Sequence, residues 1–226
     1  VTRLIQIAVE LNELDDAQKH YELIKGRNLE VGDLIKYNLA KTYFDRGKID
    51  DAQKIFETIK QGSCYIKSQY YLGVIESVRT LSMKDEDKAR LEKLVAAQEI
   101  FEKLAKTQAG SKDDAYVIQL ANMNVARILY ERSLIVYMNV EEGKKTEAQK
   151  NEEMGLVNKA LSLYRKIPMD SPYYDQSYYE MVWIYIRRAQ YKDALNAIEI
   201  MIASMPESLY APEAQLTKAE LLGKLD

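Results

Sequence analysis

The most constraining feature of the sequence is a short pattern that occurs five times. In each copy an alanine is followed four residues later by a large apolar or aromatic residue and three residues after that by another apolar residue. These offsets place all three side chains on one face of an α-helix. A small residue on such a face lets a neighbouring helix approach closely, and the large one fills the adjoining gap. The copies are Ala17/Tyr21/Ile24, Ala52/Phe56/Ile59, Ala97/Phe101/Leu104, Ala160/Tyr164/Ile167 and Ala194/Ile198/Met201.

A second predicted helix precedes each copy and has a small residue of its own. In two copies this residue leads the next alanine by 12 positions, from Ala40 to Ala52 and from Val182 to Ala194. Asn12 and Gly47, which tolerate a left-handed backbone, stand between the two helices. Ala189 holds the same place in a later copy, where we expect the same backbone conformation at some cost in strain. The pattern therefore predicts successive helix-turn-helix units.

The spacing of these units resembles the tetratricopeptide repeat (TPR), a helix-turn-helix unit of 34 residues. The alanines are 35 residues apart from Ala17 to Ala52 and 34 apart from Ala160 to Ala194. The two intervals that end at Ala97 and at Ala160 are longer, at 45 and 63 residues. We expect the excess to lie inside two successive hairpins.

The resemblance implies an all-α fold, a right-handed TPR-type superhelix (an α-solenoid) of about five helix hairpins plus a C-terminal capping helix. Residues 1–226 are expected to form a single domain, in which insertions at about 79–92 and 134–153 extend two adjacent hairpins. The expected helices lie near 2–11, 14–25, 33–46, 49–61, 63–82, 86–108, 113–139, 153–167, 173–188, 191–204 and 209–223.

The composition argues against most catalytic chemistry. A single His and a single Cys disfavour a Ser-His-Asp triad and any metal site built from several His or Cys ligands. The net charge of −3 disfavours a nucleic-acid partner, and no apolar run reaches the roughly 18 residues that a membrane span needs. We therefore expect a protein that is not an enzyme, with no cofactor and no metal.

In stacked TPR hairpins the first helices line a concave groove, so the resemblance implies which side chains face a partner. Positions offset from the small residue of each first helix carry aromatic rings interleaved with cations. Rings of this kind bury a large area at low entropic cost, and Arg pairs with carboxylates. We expect a peptide or protein segment as the occupant, although the same rings can instead pack between adjacent helices. The expected groove residues are Tyr37, Lys41, Phe44, Tyr70, Arg127, Tyr130, Tyr179, Trp183 and Tyr210.

The second insertion contains an apolar stretch, Ser133–Val140, that is too apolar for a free arm. We expect a protruding helical prong whose charged tip, 141–153, is solvated and mobile. The prong either has a small core of its own or presents a second interface to a partner or another copy of the chain. The residues of this possible interface are Leu134, Ile135, Tyr137 and Met138.

Segments within 121–223 resemble bacterial TPR proteins tied to gliding motility and the cell envelope in myxobacterial-type and predatory bacteria. They include Val125–Arg132, Tyr164–Pro168 and Ala211–Ala214. The resemblance implies partners in a motility, polarity or envelope complex, including a small Ras-like GTPase system, and favours the periplasm or cell envelope over the cytoplasm. Two other hypotheses for the function stay open: the chain is the peptide-sensing TPR domain of a regulator, or it is an accessory superhelix of a cell-wall hydrolase. The oligomeric state is left open.

Overall fold

The computed structural model describes residues 2–11, 13–27, 31–83, 87–137, 140 and 144–225. Each predicted helix has a counterpart among them, and a 3-10 turn follows α5 at Thr80–Ser82. The helices are α1 (Thr2–Glu10), α2 (Leu14–Gly26), α3 (Asp33–Asp45), α4 (Ile49–Phe56), α5 (Tyr65–Arg79), α6 (Asp87–Ala105), α7 (Lys112–Tyr137), α8 (Glu147–Tyr164), α9 (Tyr174–Arg187), α10 (Tyr191–Ser204) and α11 (Ala211–Leu225).

The fold is all-α, as predicted, and the described residues contain no β-strand. Neighbouring helices pack as pairs: α1 with α2, α3 with α4, α5 with α6 and α9 with α10, while α11 packs on α10. Such pairing is the arrangement found in α-solenoid proteins. The TPR type of the superhelix and the extension of two hairpins stay predictions.

The chain divides into two compact units, residues 1–118 and 119–226. The division falls inside α7, which begins at Lys112 and ends at Tyr137. The first unit contains α1 to α6 and the second contains α8 to α11. That the whole chain forms one domain stays a prediction.

The predicted helix faces form the core of each unit. All five pattern alanines have no exposed surface, and every large side chain that follows them in the pattern is buried. In the first unit Ala17, Tyr21, Ile24, Ala52 and Phe56 form one buried cluster with Leu39, Ala40 and Tyr43 of α3. The close approach that the small residues allow is clearest at Gly73 of α5, where an added Cβ would lie 2.7 Å from the Phe101 ring of α6.

Three hairpins share one backbone hydrogen bond at the turn. Gly47 and Ala189 both have a positive φ, of 73° and 56°. The backbone N–H of the residue after each donates to the carbonyl five positions earlier, Lys48 to Tyr43 and Gln190 to Tyr185, both at 2.9 Å. This hydrogen bond belongs to the Schellman motif, which ends a helix with a left-handed residue. Glu13 donates to Ala8 in the same way at 2.7 Å, whereas Asn12 lies outside the described residues.

Two predicted boundaries are wrong for identifiable reasons. Helix α4 ends at Phe56 rather than near 61, because the backbone N–H groups of Thr58 and Ile59 donate to carbonyls three positions earlier instead of four. Helix α8 begins at Glu147 rather than near 153, because Thr146 and Gln149 form a reciprocal capping box. The Thr-x-x-Gln spacing in the sequence is typical of this cap.

The prediction that the charged tip, residues 141–153, is solvated and mobile is also partly wrong. Residues 147–153 are helical, and the side chains of Lys145 and Glu153 are only 6% and 12% exposed because they pair with each other. Residues 141–143 lie outside the described part of the chain.

No described helix combines the length and the apolar character that crossing a lipid bilayer requires.

Candidate functional site

The predicted groove residues fall into two sets, one in each unit. The first unit holds Tyr37, Lys41, Phe44 and Tyr70, on α3 and α5. The second holds Arg127 and Tyr130 on α7, Tyr179 and Trp183 on α9, and Tyr210 just before α11.

The aromatic residues of the first set pack between helices. Tyr37 and Phe44 of α3 both meet the ring of Tyr71 on α5, at centroid distances of 6.0 and 5.2 Å. Tyr71 in turn stacks on Phe56 of α4 at 5.0 Å. Burial raises the pKa of Tyr37 well above its ordinary value. These rings stabilise the packing of α3, α4 and α5, and their contact with a partner stays a prediction.

The other two members of the first set also have partners within their unit. Tyr70 lies against Phe101 of α6 at 5.7 Å. Lys41 forms an ion pair with Asp45 one turn later, with Nζ 2.7 Å from Oδ2, and both side chains are about half exposed. An exposed pair of this kind contributes little to stability, so Lys41 keeps much of its freedom to exchange partners.

Arg127 of the second set forms a bidentate ion pair with Glu180 of α9. Its Nε donates to Glu180 Oε2 at 2.8 Å, and its Nη2 donates to Oε1. Tyr164, at the end of α8, donates its hydroxyl to the same Oε2 at 2.7 Å, and Gln176 donates to Oε1 at 3.1 Å. Burial, together with the Glu180 charge, raises the pKa of Tyr164. The Arg127 guanidinium therefore ties α7 to α9 in addition to any role toward a partner.

Three aromatic side chains of the second set form one cluster, here called the aromatic patch: Tyr179, Trp183 and Tyr210. Tyr179 and Tyr210 are stacked at 4.6 Å with 22° between their planes. Trp183, one helical turn after Tyr179, meets it edge-on at 6.1 Å and is 40% exposed. The segment before α11 is held in place by Ser208, whose hydroxyl donates to Asp175 Oδ2 at 2.6 Å.

Burial raises the pKa of Tyr179 and of Tyr210, and nearby carboxylates add to the effect. Both rings therefore stay neutral at physiological pH. The patch presents stacked, uncharged rings in a fixed arrangement rather than side chains that must be ordered on binding.

Tyr130, the remaining member of the second set, lies elsewhere. It lines a pocket of about 470 Å³, here called the basic pocket, together with Leu134 one turn further along α7. The sequence assigned Tyr130 to the groove and Leu134 to the prong, but the structure brings both to this pocket. Met154 and Ala189 complete its uncharged wall. Its charged wall consists of Lys145, Lys150, Glu153, Arg187 and Arg188.

Glu153 is the centre of an ion-pair network in the basic pocket. Lys145 Nζ lies 2.9 Å from its Oε2, and Arg188 Nη1 lies 2.9 Å from its Oε1. Burial acts to raise the pKa of Glu153, but the hydrogen bonds from Lys145 and Arg188 outweigh it and hold that pKa below its ordinary value of 4.5. Glu153 is therefore ionised at neutral pH and holds two of the four cations in position.

The other prong residues are described only in part. Leu134 and Ile135 are half-buried. Tyr137 ends α7, but its side chain and the whole of Met138 lie outside the described residues. An interface on the prong stays a prediction.

Sequence reasoning missed the acidic partners and most of the basic pocket. Glu180 is the residue that Arg127 binds, and Glu153 organises the pocket cations. The adjacent Arg187 and Arg188 at the end of α9 were a visible signal of concentrated positive charge, but their neighbours on α8 could not be inferred from helical periodicity.

Nothing in the described part of the chain brings three His, Cys, Asp or Glu side chains together in a way that could hold a metal ion. No protein-family model matches the chain, and no curated protein is detectably similar to it.

Proposed function

We propose that this chain is a non-catalytic interaction protein that binds an extended segment of another protein on the aromatic patch. The observation that carries the proposal is the stack of Tyr210 on Tyr179, with the partly exposed Trp183 beside it. Tyr and Trp are the residues most enriched among those that dominate binding energy at protein interfaces.

The patch has the properties that are required to bind an apolar side chain of such a segment. Its rings are already held by stacking and by the Ser208–Asp175 hydrogen bond, so little side-chain entropy remains to be lost on association. Leu209, the neighbour of Tyr210 in the sequence, is 94% exposed and adds apolar surface. The Arg127–Glu180 ion pair lies close enough to act on the pKa of Tyr210, so polar groups border the patch.

A peptide selection tests the proposal. A library of random linear peptides is selected on the protein, and the affinities of the enriched peptides are measured by the fluorescence of Trp183, the only tryptophan in the chain. We expect the emission of Trp183 to change on binding. Trp183→Ala and Tyr210→Ala should each weaken the affinity at least about tenfold when measured by calorimetry.

Tyr191→Ala is the matched control, because Tyr191 lies at the start of α10 and its ring contacts Lys224 rather than the patch. Its affinity for the selected peptides should equal that of the unaltered protein. Peptides that bind Trp183→Ala and Tyr210→Ala as tightly as the unaltered chain would refute the patch as the binding surface.

We also propose that the helix pairs form a right-handed TPR-type superhelix with two extended hairpins. The 34- and 35-residue spacings and the turn hydrogen bond shared by three hairpins support it. Small-angle X-ray scattering tests the overall shape: a curved, elongated particle is expected, and a profile typical of a compact sphere would contradict the superhelix.

The cellular setting is proposed from the resemblance within 121–223 alone. It supports a partner in a bacterial motility, polarity or envelope complex, including a small Ras-like GTPase system. Affinity purification from the source cells tests this: components of such a complex should be retained by the unaltered protein and lost with Trp183→Ala. If only unrelated proteins are retained, the proposed cellular complex is contradicted, but the proposal that the aromatic patch binds a protein segment is not.

A further inference from the structure

We propose that the basic pocket binds the dianionic phosphate group of a small phosphate ester. The proposal does not depend on peptide binding at the aromatic patch, since no patch residue lines the described wall of the pocket. Among the described residues that line it, four are cations and one is a carboxylate, an excess of three positive charges.

Glu153, the carboxylate among the described lining residues, does not satisfy this charge. Both oxygens of Glu153 are already engaged, one by Lys145 and the other by Arg188. Lys150 pairs with Glu147, but that carboxylate is 83% exposed, and ion pairs so open to water are weak. Lys150 therefore remains able to turn to an anion in the pocket, as does the exposed side chain of Arg187, while Lys145 and Arg188 are held in place beside it.

Two buried hydrogen-bond donors in the pocket point to the same ligand. The Nε of Arg188 is buried and makes no hydrogen bond to any described residue, and the buried hydroxyl of Tyr130 donates its proton to none of them. Arg187 lies within hydrogen-bonding range of the Tyr130 hydroxyl and acts to lower its pKa, but a guanidinium has only donors to offer, so the phenol proton still needs an acceptor. Buried donors are nearly always satisfied, and phosphate oxygens provide several acceptors at once.

The size and the walls of the pocket favour an ester over the free ion. A volume of about 470 Å³ lies in the range of pockets that hold small organic ligands. The ring of Tyr130 and the side chains of Leu134 and Met154 provide an apolar wall for the organic part. A carboxylate carries a single charge and would neutralise less of the positive excess than a dianion does.

Isothermal titration calorimetry on the full chain at pH 7.5, above the second phosphate pKa of about 6, distinguishes these ligands. The three probes are phenyl phosphate, inorganic phosphate and benzoate. We expect saturable binding of phenyl phosphate, weaker binding of inorganic phosphate, and binding of benzoate at least about tenfold weaker than that of phenyl phosphate. Binding of phenyl phosphate should also weaken as the salt concentration rises.

Two variants locate the site. Arg187→Gln and Tyr130→Phe should each weaken phenyl phosphate binding about tenfold, because each removes a hydrogen bond to a charged group. Tyr130→Phe preserves the ring and removes only the hydroxyl, whose proton has no acceptor among the described residues, so its thermal midpoint should be no lower than that of the unaltered protein. A merely structural role for Tyr130 would lower that midpoint and leave the affinity unchanged.

Lys192→Gln and Tyr191→Phe are the matched controls, because both residues lie on α10 outside the described wall of the pocket. Both variants should bind phenyl phosphate like the unaltered protein. The proposal is overturned if no saturable binding is seen, if benzoate binds as tightly as phenyl phosphate, or if Arg187→Gln and Tyr130→Phe bind it normally.

Discussion

Ala189 occupies the left-handed turn position that Gly47 occupies in an earlier hairpin, with φ of 56° against 73°. Each closes its helix through the same pair of backbone hydrogen bonds. An alanine in this conformation brings its Cβ close to a carbonyl oxygen, at a cost of about 1–2 kcal/mol, whereas glycine has no Cβ.

Exchanging the two residue types should therefore shift stability in opposite directions. Ala189→Gly should stabilise the protein by about 0.5–1 kcal/mol, because relief of strain exceeds the added flexibility of the unfolded chain. Gly47→Ala should destabilise it by about 1 kcal/mol, and only through the backbone, since nothing lies within 4 Å of the added Cβ. Urea denaturation measures both, and a loss of stability in Ala189→Gly would contradict this account.

The buried alanines predict a strong dependence on side-chain size. Ala52 and Ala194 have no exposed surface, so replacement of either by Leu should overfill a helix contact and cost about 1–3 kcal/mol. Lys54, two residues from Ala52, is 75% exposed, and Lys54→Leu should change stability by less than about 0.5 kcal/mol. Equal thermal shifts for Ala52→Leu and Lys54→Leu would show that the helical register is wrong.

Two helix-interior glycines provide a second test of packing. A Cβ at Gly73 would lie 2.7 Å from Phe101, while a Cβ at Gly155 of α8 would meet nothing within 4 Å. Gly73→Ala should lower the free energy of unfolding by about 1–2 kcal/mol, because the clash exceeds the gain in helix propensity. Gly155→Ala should raise it by up to about 1 kcal/mol, through propensity alone. Stabilisation by both substitutions would rule out a tight Gly73–Phe101 contact.

The ion pairs of Glu153 should make stability depend on pH in the acid range. Its pKa is lower in the folded protein than its ordinary value of 4.5. The stabilisation is therefore fully present above that value and is lost as the pH falls through the lowered folded pKa.

Glu153→Gln should abolish that part of the pH dependence and lower the stability at pH 7 more than at pH 3. Thermal unfolding from pH 7 to pH 3 measures the difference, and Glu152→Gln is the matched control because Glu152 is the exposed neighbour in α8. Parallel pH profiles for the unaltered protein and Glu153→Gln would contradict the role of the pairs.

The register of the helices was predictable from the sequence because burial follows helical periodicity closely. Ala17, Ala97 and Ala160 were placed on core faces by spacing alone, and all three have no exposed surface. The groove residues were less predictable, because a ring on the correct face of a helix can meet either another ring or solvent. Tyr37 packs against Tyr71 and Phe56, whereas Trp183 remains 40% exposed.

The sequence by itself determined that this chain is helical and where its core alanines lie, because these properties depend on residues within a few positions of one another. Tertiary structure alone decided that Arg127 meets Glu180, 53 positions away, and that cations from α8, α9 and the segment before α8 gather around Glu153. Such meetings depend on which helices become neighbours and on which way long side chains extend, and local periodicity specifies neither.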